Sequence, residues 1–107
     1  MLLAFNANAN KKNEAFEAYC NAQANVAKGA MSFRQEGREM SEIFDMVKGK
    51  RNQKVIKKTI MSAYEQPRAE TKKYQEIMVL EFKNKVHLEC LKQDIDETIE
   101  YLNKSIN

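Results

Sequence analysis

The chain has 107 residues, with 18 basic and 15 acidic side chains for a formal net charge of +3. That length holds one domain, residues 1–107, with a core of three or four helices at most. Only three glycines and one proline interrupt it, so strong helix formers fill most positions and no stretch alternates apolar with polar as a half-buried strand requires. The expected fold is all-α: a bundle or extended helical hairpin. No run approaches 18 apolar residues, which argues against a membrane span, and Met1-Leu2-Leu3-Ala4-Phe5 is too short for a signal-peptide core. A cytoplasmic or virion-associated location is expected.

The first segment is rich in Ala and Asn. Asn6, Asn8 and Asn10 compete for their own backbone, so residues 1–10 are expected to fray. From there Phe5, Ala9, Phe16, Tyr19, Gln23, Ala27 and Ala30 fall on one side at about 100° per residue, a thin stripe that permits close approach of a second helix. Phe33, Met40, Ile43, Phe44 and Val47 continue a heptad-like seam. An internal glycine costs a helix only about 1 kcal/mol, so Gly29 and Gly37 are compatible with one long helix over 13–48. Gly49 is the expected stop, and Asn52 the N-cap of the next helix, which carries Val55, Ile56, Ile60, Ala63 and Tyr64. The breaks are thus expected near 49–52 and 65–67.

Pro67 suits a first helical turn, so the last helix is expected to begin near it. That helix carries two apolar stripes. One runs Ile77, Leu80, Leu88, Leu91, Ile95, Ile99, Leu102 and Ile106, the other Met78, Phe82, Val86 and Cys90. Leu88, Ile95 and Leu102 stand seven apart, which is coiled-coil texture, and Leu88, Leu91, Ile95, Ile99 and Leu102 form the expected packing or oligomerisation seam.

Charge is unevenly distributed. Residues 48–58 contain six basic and no acidic side chains, and residues 48–73 carry a net +7, against −1 before and −3 after. On a continuous helix Lys50, Arg51, Lys54, Lys57 and Lys58 share a face of about 120°, suited to an acidic protein surface or a phosphate backbone. The competing reading is a solvated face. No Trp, aromatic-glycine motif or helix-turn-helix signature strengthens the nucleic-acid option.

Cys20 and Cys90 lie seventy positions apart without CxxC spacing, so neither a disulfide framework nor a zinc site follows from them, and small core or interface residues are expected. His87 and Cys90 stand at helical spacing but two ligands do not complete a metal shell, so no metal or cofactor is expected. The six methionines, Met31, Met40, Met46, Met61 and Met78 among them, are expected mainly as core fillers. Glycine-rich phosphate cradles and nucleophile elbows are missing, and Glu36, Glu39 and Glu42 sit among bases in an ion-paired pattern. Enzyme activity is not expected.

The run Ala4-Phe5-Asn6-Ala7-Asn8-Ala9-Asn10, continuing through Asn13, Ala15 and Asn21-Ala22-Gln23-Ala24-Asn25 into a long helix, resembles the Asn/Ala/Gln-rich helical segments of internal core proteins of short-tailed bacteriophages. The resemblance covers residues 4–47, is compositional, lacks the Trp and repeated Gln of such segments and carries no functional residue. It implies a small virion or ejection-apparatus component that assembles, with itself or a larger complex, through helix packing. A nucleic-acid-binding or regulatory module using the basic face, and a phage inhibitor of a host protein, are the alternatives.

Overall fold

The computed structural model describes the backbone of residues 7–106 and the side chains of residues 13–93. It is an all-α bundle of four helices: α1 (Ala7–Glu36), α2 (Met40–Met46), α3 (Gln53–Tyr64) and α4 (Lys72–Ile106). The central helix is α1, which packs against the other three. On its inner side Cys20, Ala24, Ala27 and Met31 are all at most 1% exposed. They are spaced by three or four residues, so they form one narrow strip on a helix. Three of the four are small, which lets α4 lie close along α1. Packing pairs Cys20 with Cys90 and Met31 with Phe82, so the two long helices run antiparallel. The core gathers Ala27, Ala30, Met31, Ile43, Ile60, Ala63 and Phe82, with Phe33, Phe44, Val47, Ile56, Tyr64, Val79 and Val86 packed around it.

A single helix over 13–48 does not form. Gly29 lies inside α1, but Gly37 takes φ +84° and ends it. The Arg38 N–H donates to the Phe33 carbonyl at 3.1 Å and the Gly37 N–H to the Arg34 carbonyl at 3.0 Å, the paired bonds of a Schellman ending. The Arg38 guanidinium lies 4.9 Å from the Phe33 ring centre, taking the place of the apolar contact that usually closes this motif. A Cβ at position 37 would also sit 2.9 Å from Cζ of Arg68. The left-handed backbone calls for glycine there, and an added Cβ would also displace the Arg68 guanidinium.

Gly49, at φ +75°, lies in the turn between α2 and α3, and Asn52 stands at the N-cap of α3. Its role differs from the expected one: it adopts φ 59° and makes no side-chain cap, while Gln53 Oε1 accepts from the Gly49 N–H at 3.2 Å. The last helix also starts later than expected. Residues 67–69 have no regular secondary structure, and Thr71 caps α4 by accepting from the Tyr74 N–H at 3.3 Å.

The connection between α3 and α4 is held from α1. Gln35 is 2% exposed; its Nε2 donates to the Pro67 carbonyl at 3.0 Å and its Oε1 accepts from the Ala69 N–H at 2.8 Å. Arg34 Nε donates to the Gln66 carbonyl at 2.9 Å, and Gln75 Nε2 to the Ala69 carbonyl at 2.9 Å. Arg68 returns the contact by donating twice to the Gln35 carbonyl, at 3.1 and 3.2 Å. Four consecutive residues, 66–69, therefore have their backbone or side chain tied to the C-terminal turn of α1.

Cys20 and Cys90 form a disulfide, with 5.5 Å between their Cα atoms. Sequence spacing gave no sign of it, because the bond depends on α1 and α4 passing antiparallel at that level. The methionines divide against expectation: Met31 is a core residue, whereas Met40, Met46 and Met61 are exposed on α2 and α3.

Candidate functional site

The two stripes of α4 have different fates. Phe82 and Cys90 are buried and Met78 and Val86 half-buried against the rest of the bundle. About 180° around the helix, Ile77 is 39%, Leu80 58% and Leu88 54% exposed, and Tyr74 extends the same row at 59%. Leu91 is half-buried, and the side chains of Ile95, Ile99 and Leu102 lie outside the described residues. Of the expected seam, then, Leu88 is placed as an outward-facing residue. Sequence reasoning set Ile77 and Leu80 on the same stripe as Leu88 but began the packing seam at Leu88, and it missed Tyr74, whose spacing extends that stripe.

The basic residues do not share one helix face. Lys50 and Arg51 belong to the turn between α2 and α3, because the break before Gln53 removes the continuous helix. Lys54, Lys57 and Lys58 stand on α3, and Lys57 Nζ rests 5.5 Å from the Phe44 ring centre. Lys50, Arg51, Lys54 and Lys58 are exposed. Among the described residues the ion pairs are Arg38 with Glu36 and Lys48 with Asp45, so none of the five has a described carboxylate partner. The result is a basic corner at the start of α3.

Beside the disulfide a cleft of about 490 Å³ opens between α1, α3 and α4, with Val55 and Val86 in its wall and Gln23, Lys58, Ser62 and Glu89 around it. Gln23 is buried, and its Oε1 has no hydrogen-bond partner among the described residues. Cys90 is committed to the disulfide, so it offers no thiolate beside His87, and no cluster of three or more His, Cys, Asp or Glu occurs among the described residues. Burial raises the pKa of Tyr64, with the Arg34 guanidinium opposing the shift; its hydroxyl donates to the Arg38 carbonyl at 2.7 Å. The neutral phenol is thereby favoured, and its contribution to stability is present below the ordinary tyrosine pKa and lost in alkali as pH rises through the raised value.

Among the described residues no helix is long and apolar enough to cross a membrane. The chain matches no family model, and neither the curated proteins nor the solved structures contain a significant match.

Proposed function

We propose that this chain is a non-catalytic helical assembly protein, a small bacteriophage virion component that associates through the outer face of α4. The observation that supports this reading is the row Tyr74, Ile77, Leu80 and Leu88, four large apolar or amphipathic side chains left in solvent along one line. Scattered exposed apolar residues are ordinary, but a row at helical spacing on a long helix, interrupted at Asn84 between Leu80 and Leu88, has the form of a helix-packing interface. The disulfide favours the virion over a reducing cytoplasm, where such a bond is not maintained. The test is direct. Leu80→Asp with Leu88→Asp is expected to weaken association by at least about a hundredfold in sedimentation analysis, roughly 2.7 kcal/mol. Helicity and thermal midpoint should be retained, because both positions are already exposed. Unchanged association in the double variant rules out this face.

A second reading rests on the basic corner and its lack of a described acidic partner. If it meets a duplex, each phosphate contact contributes about 0.9 to the magnitude of the slope of log K against log salt. Changing Lys54, Lys57 and Lys58 to Gln is then expected to lower that magnitude by up to about 2.7 in a fluorescence titration with random-sequence DNA. An acidic protein partner gives salt-sensitive association without affinity for random DNA. Wild-type partner affinity at low salt in the triple variant leaves these lysines as a solvated face only.

A further inference from the structure

The two halves of the disulfide differ in access. Cys20, on the inner strip of α1, is fully enclosed, whereas Cys90 is 8% exposed and lines the cleft of about 490 Å³ between α1, α3 and α4. A space of that size admits a small organic molecule. Gln23 lines the same cleft; it is 8% exposed, and its buried Oε1 has no hydrogen-bond partner among the described residues. It stands three residues after Cys20 on the inner side of α1, where helical spacing makes the two side chains neighbours. While Cys20 is bonded to Cys90 its sulfur carries no proton, so it has nothing to donate to the orphaned oxygen beside it.

We infer that the cleft is the entry site for a low-molecular-weight thiol, that Cys90 is the sulfur it attacks, and that Gln23 receives the Cys20 thiol so released. The incoming thiolate forms a new S–S bond to Cys90 Sγ as the Cys20–Cys90 bond breaks, and the bonding pair leaves on Cys20 Sγ. Cys20 then takes up a proton from solvent, replacing the one the small thiol lost on ionising, because a thiolate is disfavoured in so enclosed a place. Its new S–H donates to Gln23 Oε1. A second thiolate attacks the small-molecule sulfur of the mixed disulfide and expels Cys90, which is protonated in turn. Two small thiols are thereby oxidised to one disulfide, and the protein's disulfide is reduced by two electrons. Attack at Cys20 is closed to the folded chain, since no part of that residue meets solvent. The link between α1 and α4 is therefore one that a thiol can open from the cleft while the bundle stays folded. This holds whether or not the outer row of α4 meets a partner.

Reduction of the full oxidised chain by 2-mercaptoethanol, followed by acid quench and peptic mapping by mass, tests the inference. Early in the reaction the mixed disulfide is expected on Cys90 rather than Cys20 by at least about tenfold, and the initial rate is expected to rise in proportion to thiol concentration. A mixed disulfide shared equally or found on Cys20 overturns the proposal. So does a rate that levels off as thiol is raised, which marks reduction that waits for unfolding. Val55→Phe narrows the cleft at an exposed wall position and is expected to slow the reaction about tenfold, with circular dichroism unchanged; an unslowed variant shows that the thiol does not enter there and overturns the proposal. Gln23→Met keeps the side chain's length and removes the acceptor. In buffers of 2-mercaptoethanol and its disulfide it is expected to shift the equilibrium toward the oxidised chain by about fivefold, the worth of one hydrogen bond. A merely structural Gln23 gives the opposite sign, because a loosened fold holds the cysteines together less well, so a shift toward the reduced chain, or none, overturns its place in the site. Should either variant fail to fold, the mapping and the thiol dependence of the wild type decide.

Discussion

Changing both Cys20 and Cys90 to alanine is expected to destabilise the chain by about 4 kcal/mol, the loop-closure value for a cross-link spanning a separation of 70 residues. At this chain length that corresponds to a fall in thermal midpoint on the order of 15–25 °C. The location of the bond explains why the chain depends on it. Residues 13–19 of α1 contain no buried side chain, and the apolar cluster begins only with Ala27. The cysteines therefore fasten α1 to α4 at the edge of the core, where hydrophobic contact thins out. Calorimetry of the double variant, beside the wild type in reductant, measures the effect. A loss below about 1 kcal/mol in both would mean that the unfolded chain gains little freedom when the bond is absent.

The second large effect is expected at Gln35. Gln35→Met keeps the length of the side chain and removes both bonds to the 66–69 connection, leaving the Pro67 carbonyl and the Ala69 N–H without that partner. With the residue 2% exposed, the expected cost is about 2–4 kcal/mol in urea unfolding, because each buried unsatisfied group forfeits its desolvation energy. Gln75→Ala is the control. It removes one bond to the same connection, from a half-buried donor to the Ala69 carbonyl, and is expected to cost about 1 kcal/mol. If the two variants are equally stable, the contact from α1 does not hold the connection in place.

The helices that sequence periodicity identifies well are those whose burial is set by their own spacing. Ile56, Ile60, Ala63 and Tyr64 mark the inner face of α3, and Met78, Phe82, Val86 and Cys90 that of α4. What escapes sequence reasoning is set by partners distant in the chain. Gly29 and Gly37 look alike as isolated glycines in a helical pattern, yet only Gly37 meets Arg68 across the fold. Gln35 has the composition of a surface residue and becomes buried because it serves carbonyl and amide groups more than thirty positions away. The basic run looks continuous until the turn before Gln53 divides it. The outward row of α4 was visible as a stripe, but choosing which of two stripes faces inward required knowing where α1 lies. The small residues of α1 gave no such direction.

Those small residues also govern how the chain can change over time. Ala24 and Ala27 are completely enclosed and Ala30 nearly so. A single added methylene at such a site forces neighbouring side chains or backbone to shift, at about 1–3 kcal/mol. The charged positions are mostly at the surface and are comparatively free to be exchanged. Divergence should therefore erase the chain's most conspicuous chemistry first. A distant relative would be recognised less by its lysines and glutamates than by a line of small residues at three- and four-residue intervals on the first helix, with a cysteine at its head and a second one seventy positions later.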